Sequence, residues 1–243
     1  IVCPDMPGIV HAVSGAVVAS GGDITESQQF SSADTGRFFM RLQMQSTSSR
    51  EQFLAEPGPV ASRYDMTVTL DVVERPLRTL ILASTAAHCV NDLLFRARGG
   101  QLPIDVPLVL SNHGDLRGLA DFYGVPFEAM PVVDAASKAA FEARIIDLVD
   151  THDIELVVLA RYMQILSPEL GVKLIGATAH FVNSDLDEGP IIEQNVVRVD
   201  HSRTPAQLVA IGQDEESRTL RQAVTWFAEH RVLLDGARTI IFR

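Results

Sequence analysis

Residues 178–192 read Thr178-Ala179-His180-Phe181-Val182-Asn183-Ser184-Asp185-Leu186-Asp187-Glu188-Gly189-Pro190-Ile191-Ile192, a polar and acidic loop between two apolar stretches. Three chemistries fit such a loop. It can be a solvated turn with no chemical role. It can bind calcium, because Asn183, Asp185 and Asp187 alternate as oxygen ligands do. That reading fails in detail: Gly189 sits one place late for an EF-hand, and the twelfth position is Gln194 rather than Glu. Or it can set a catalytic carboxylate beside His180, although a single strand histidine more often plays a structural part.

A second stretch, Leu159-Ala160-Arg161-Tyr162-Met163-Gln164-Ile165-Leu166-Ser167-Pro168, follows an apolar strand candidate. Ligands of open α/β sheets bind beyond the carboxyl ends of strands. Met163, Ile165 and Leu166 could line a flat apolar slot for an aromatic ring, or simply fill the core. The third, Ser84-Thr85-Ala86-Ala87-His88-Cys89-Val90-Asn91-Asp92, carries neither Gly-x-Gly-x-x-Gly nor a P-loop, so nucleotide or phosphate binding gains little support. His88 and Cys89 are adjacent, are expected to face apart, and have no His/Cys cluster nearby in sequence, so no metal site is expected.

The elements that must position these residues fall into two groups. In residues 1–74, Ile1-Val2-Cys3 ends a strand and Pro4–Gly8 is turn chemistry. Ile9, Val10, Val13 and Val17 then predict a helix over 8–20, stopped by Gly21-Gly22. Strands follow over 23–30 and 37–45. A helix is expected from Ser48 to Leu54, cut short by Pro57 and Pro59, and then an alternating strand over 66–73. The order βαββαβ is ferredoxin-like. A charged connection, Glu74–Arg78, marks the boundary.

From residue 79 to 243 strands and helices alternate. Strands are expected over 79–83, 106–110, 155–160, 173–182, 191–198 and 239–242, and helices over 87–98, 115–123, 136–151 and 206–230. The continuous apolar run Thr79–Ala83 suits a strand buried on both faces, and the alternation predicts an open, mostly parallel α/β sheet. One junction is irregular. Ser167-Pro168-Glu169-Leu170 is a strong helix start, yet Gly171–Thr178 reads at once as strand. A helix start without a body predicts that residues are missing between Leu170 and Gly171, and an unrepresented loop is the expectation over a natural deletion.

The chain has 243 residues, 20 Lys+Arg against 31 Asp+Glu and a net charge of −11. That acid excess argues against a nucleic-acid partner, which would draw on clustered Lys and Arg. A 47% hydrophobic and 21% charged composition is that of a folded globular chain rather than a disordered one. No apolar run reaches the roughly 18 residues of a membrane span, so no membrane partner is expected. Nothing resembles a signal peptide, and a start at Ile1 rather than Met places the expected N-terminus upstream. Cys3 and Cys89 are the two cysteines; they make no disulfide framework, read as buried small hydrophobes, and suit a reduced, cytoplasmic setting.

Several motifs in order carry a resemblance that covers nearly the whole chain. They are Cys3–Val10, Gly21–Ile24, Gln28–Phe30, Thr35–Arg41, His88–Leu94, Leu102–Ile104, Ser111–His113, Tyr123–Phe127, Ala160–Ser167 and Gly176–Ile192. Together they resemble the formyltetrahydrofolate deformylases. The resemblance implies an α+β ferredoxin-like ACT domain over 1–74, regulatory or dimerising, followed over 79–243 by a Rossmann-like formyl transferase domain. It implies hydrolysis of 10-formyltetrahydrofolate to formate and tetrahydrofolate, serving one-carbon balance and purine synthesis.

By the same resemblance Asp187 is the catalytic carboxylate, acting with an Asn and a His. Met163, Gln164, Ile165 and Leu166 line the pterin slot, and Val182–Asp187 forms its other wall, with His180, Val182 and Asp185 at the substrate. The family's Asn-x-His-His-Ser-x-Leu-Pro segment belongs between Leu170 and Gly171, where the junction is irregular. The Lys usual near Thr85-Ala86 is missing. No metal or other cofactor is implied; a homo-oligomer and an amino-acid effector are. The alternatives are a glycinamide ribonucleotide formyltransferase, or a non-catalytic folate- or amino-acid-sensing protein if the segment at Leu170–Gly171 is truly deleted. A methionyl-tRNA formyltransferase would need a basic RNA-binding surface, which the charge opposes.

Overall fold

The computed structural model describes residues 1–48, 58–162, 174–175, 179–183, 188–197 and 204–243. The chain divides into two compact units: Ile1–Glu74 with His230–Arg243, and Arg75–Glu229. The expectation that everything after residue 79 forms one domain is therefore corrected at its far end. The last fourteen residues return to the first unit, because their hairpin supplies cover for its sheet.

In the first unit, strand β1 (Val2–Pro4), helix α1 (Ile9–Ala19), strand β2 (Gly22–Ser32), strand β3 (Arg37–Ser46) and helix α2 (Gly58–Arg63) follow in order. The antiparallel sheet runs β1-β3-β2, and Thr67 adds an antiparallel bridge to Val2 on the outer side of β1. α1 starts at Gly8, whose φ of 93° favours glycine. Ile9, Val13 and Val17 form its buried stripe, while Val10 is exposed. Ile9 and Val13 pack with Cys3, Phe38, Met40 and Tyr64 into one core.

The helix expected from Ser48 to Leu54 falls almost wholly on residues 49–57, which lie outside the described ones; Pro59 itself lies in the first turn of α2, where its missing N–H has no helical partner to lose. The strand expected over 66–73 is corrected. Residues 66–73 form no strand beyond the Thr67 bridge, because apolar alternation makes a strand only where an edge offers a ladder.

Phe39 lies on the opposite face of β3 from Phe38 and Met40 and is still fully buried. The cross-strand pairs Gln28↔Arg41, Phe30↔Phe39 and Ser32↔Arg37 define that face. The C-terminal hairpin, β9 (Val232–Asp235) and β10 (Arg238–Ile241), is tied to it. Arg231 reaches Glu26 at 3.1 Å, alongside Arg41 at 2.8 Å. Asp235, itself buried, accepts from Ser32 Oγ at 2.7 Å and Thr35 Oγ1 at 3.0 Å. Strand β9 was not expected from the sequence, which placed the preceding helix through residue 230 and one strand over 239–242.

The second unit is built on the parallel sheet β6-β5-β4-β7-β8. Its strands are β4 (Leu77–Ala83), β5 (Ile104–Ser111), β6 (Phe127–Ala129), β7 (Leu156–Ala160) and β8 (Leu174–Ile175). Its helices are α3 (His88–Arg98), α4 (Arg117–Tyr123), α5 (Ala135–Thr151) and α6 (Pro205–Ala228). Leu80, Leu82, Leu108, Leu110, Val157 and Leu159 pack with Phe141, Ile145 and Leu148 of α5. The alternate residues Ile81, Val109 and Val158 are also fully buried, so both faces are covered, as the apolar runs require. α3 and α6 pack on each other.

The helix starts follow local chemistry. Asp134 and Ser137 form a reciprocal capping box for α5, and Thr204, Pro205 and Gln207 make a capped start for α6. The strand expected over 191–198 is absent in residues 191–197 apart from a bridge between Ile191 and His180. Those residues lie past the loop, with no further strand to pair with among the described ones. No helix among the described residues is long and apolar enough to cross a membrane.

Candidate functional site

Strand order dictates where a ligand crevice can open. From β4 the chain builds outward to β5 and β6 in one direction, whereas β7 and β8 lie on the other side of β4. The reversal therefore falls between β4 and β7, and crevices in open α/β sheets form there, beyond the strands' carboxyl ends. Ser84–Ala87 follows β4 and leads into α3, and Arg161-Tyr162 follows β7.

At this point three elements converge. His88, the first residue of α3, donates from Nε2 to Oε2 of Glu216 on α6 at 2.7 Å. Arg161 Nη1 donates to Oε1 of the same carboxylate at 3.1 Å. Arg161 has φ of 61°, in the left-handed region that costs a non-glycine residue about 1–2 kcal/mol. Its Nε is buried with no hydrogen-bond partner among the described residues. Tyr162, next in the chain, is 5% exposed and stacks on Phe141 at 5.2 Å with an interplanar angle of 11°; burial pushes its phenol well above the usual range.

The expectation that His88 and Cys89 face apart is corrected. Ligating atoms of His88, Cys89 and Glu216 lie within 4.8 Å of one another, because Glu216 comes from a helix distant in sequence. The carboxylate is already shared by His88 and Arg161, and burial pushes the Cys89 thiol up to about 11, so the group is a closed ionic contact beside an inert cysteine.

The loop that bears the acidic residues has a defined base. Phe181 N–H donates to the Pro190 carbonyl at 3.0 Å and Ile192 N–H to that of Ala179 at 2.8 Å. His180 is 9% exposed, and its Nδ1–H donates to the Phe181 carbonyl at 2.7 Å. Val182 is half-buried and packs against the α5-side core. Gly189 is buried, and a Cβ there would lie 1.5 Å from the Phe181 carbonyl oxygen; only glycine fits.

Of the residues the sequence singled out, His180 and Val182 are thus placed at the root of this loop. Asp185, Asp187, Met163, Gln164, Ile165 and Leu166 lie outside the described residues. The Glu216 contact was missed, since nothing in a long amphipathic helix marks one glutamate as facing a strand end.

A parallel sheet that reverses at β4/β7 is the architecture of an open α/β ligand-binding domain. The formyl transferase family model matches residues 77–170 and 168–224. The deformylase of Corynebacterium sp. (strain P-1) is 41% identical over 275 aligned positions, covering 99% of this chain and 96% of the relative. The crystal structure of the formyltetrahydrofolate deformylase of Burkholderia mallei superposes with a TM-score of 0.93 at 38% identity, covering 100% of this chain and 97% of that one. Glycinamide ribonucleotide transformylase 1 of Symbiobacterium toebii matches 72% of this chain at a TM-score of 0.63 and 27% identity. The chain belongs to the formyltetrahydrofolate deformylase family.

Proposed function

We propose that this protein hydrolyses 10-formyltetrahydrofolate to formate and tetrahydrofolate. The observation that carries this reading is likeness to deformylases along 99% of the chain, first unit included. The transformylase likeness spans 72%, so the acceptor-dependent alternative is not favoured.

In the proposed mechanism Asp187 holds the attacking water and takes its proton as the oxygen bonds to the formyl carbon. An Asn and a His stabilise the oxyanion. The carbon–N10 bond then breaks, N10 takes up the proton, and formate leaves. Met163, Gln164, Ile165 and Leu166 form the pterin slot, with Val182 and Asp185 on its other wall and His180 bracing that wall. The reaction as read needs no metal or other cofactor.

The Asn and His are assigned to a segment between Leu170 and Gly171. Two facts support a gap there. The family model matches in two pieces that meet at residues 168–170, and the alignment with the Corynebacterium relative runs over 275 positions against 243 residues. A tryptic peptide running unbroken from Tyr162 to Lys173 would contradict it and leave a folate-binding chain without turnover. Asp187→Asn is expected to abolish formate release while tetrahydrofolate binding, read by calorimetry, survives; unchanged turnover would remove Asp187 from the mechanism.

The first unit is read as an ACT-type regulatory or dimerisation domain. Its support is the order Thr67-β1-β3-β2 with two helices, the ferredoxin-like arrangement. An amino-acid effector, a homo-oligomer and a cytoplasmic setting complete the reading.

A further inference from the structure

The contact at the β4/β7 reversal holds a strained turn with polar groups that the core does not need. Arg161, with φ of 61°, is gripped through Nη1 by one oxygen of Glu216 at 3.1 Å, and the other oxygen takes His88 Nε2 at 2.7 Å. The three side chains are 38%, 34% and 17% exposed, so they line the open end of the sheet instead of filling its interior. Below them Tyr162 is fixed by stacking on Phe141. The turn leaving β7 is therefore held by ions on one side and by a buried ring on the other. Left-handed backbone at a non-glycine residue persists where its surroundings over-determine it, and such strain gathers at ligand clamps.

His88 opens α3, where the helix dipole presents partial positive charge. A histidine there gains from a carboxylate, and Glu216 supplies it from α6 while balancing Arg161. One glutamate thus ties α6, the start of α3 and the end of β7 together at the place where this architecture receives its ligand.

We propose that Glu216 is a positioning residue for folate binding: by bridging His88 and Arg161 it presets the turn at the carboxyl end of β7. It touches no reacting atom. The proposal rests on the deformylase reading for the identity of the ligand. An ion pair of merely structural use would change stability and leave ligand affinity alone.

The test uses the full chain with Glu216→Ala, Glu216→Gln and Arg161→Lys. Three quantities are read: the Kd for tetrahydrofolate by calorimetry, KM and kcat for formate release, and the thermal midpoint. Glu216→Ala is expected to raise Kd and KM together by about tenfold, equivalent to about 1.4 kcal/mol, with a much smaller change in kcat. Glu216→Gln, which keeps a carbonyl oxygen for Arg161, is expected to recover part of that loss. Arg161→Lys, which keeps the charge but not the fork, is expected to fall between wild type and Glu216→Ala. Should Glu216→Ala fail to fold, the Gln and Lys variants decide by the same readouts. Unchanged Kd and KM in folded variants overturn the proposal, as does a fall in kcat alone. A wild-type chain that binds tetrahydrofolate but releases no formate refutes the hydrolytic reading, and the Kd series still decides the role of Glu216. A wild-type chain that binds no folate overturns both.

Discussion

At Gly189 a single missing carbon shapes the acidic loop. The Phe181 carbonyl occupies the space a Cβ would need, at 1.5 Å, and His180 Nδ1 stands 2.9 Å from the same point. Gly189→Ala must push the two arms of the loop apart, at a cost of about 1–3 kcal/mol typical of overpacking. A lowered thermal midpoint together with strongly reduced formate release is expected; unchanged values in both would show that the arms are not held as described. His180 was legible in sequence as a histidine near the acidic loop, but its direction was not, because a short strand with both neighbours apolar gives no alternation to read. Cys89 was legible as a buried small hydrophobe, and it is fully buried. Its nearness to Glu216 was not, since the two residues meet only through the packing of α3 on α6.

Among the elements, those with a local signature follow the sequence closely. β4 and β7 are continuous apolar runs, and α1 and α5 carry apolar residues at helical spacing. The departures occur where pairing partners decide. Residues 66–73, which alternate apolar and polar, and residues 191–197 were both expected as strands but find only single bridges at Thr67 and Ile191. The C-terminal hairpin shows the converse, since short strands gain their place from the sheet they cover. Asp235 is central to that cover. The Ser32 hydroxyl, and after it that of Thr35, holds its carboxyl below the ordinary value. Its contribution to folding is therefore complete above the unfolded carboxylate value of about 3.9 and is lost as pH falls through the lower folded value. Asp235→Asn is expected to lower stability at neutral pH, with the gap to wild type narrowing in acid. A gap independent of pH, followed by denaturant unfolding between neutral pH and pH 2, would contradict this assignment.

For the whole molecule, the boundary at Glu74/Arg75 was legible as a charged, proline-bearing connection, and the change of pattern across it distinguished an antiparallel from a parallel sheet. The return of residues 230–243 to the first unit was not legible, because hydrophobic periodicity reports what an element buries but not against which partner. The chemistry was legible as a set of motifs whose meaning depends on the fold. Asp187 lies outside the described residues, and its proposed role comes from its motif rather than from its surroundings. The central claim is that water is the formyl acceptor. Formate release from 10-formyltetrahydrofolate, measured with no amine acceptor present, tests it most directly. Formate and tetrahydrofolate in equal amounts from the protein alone are the expected result. Turnover only on addition of glycinamide ribonucleotide, or tetrahydrofolate binding with no formate released, would contradict it.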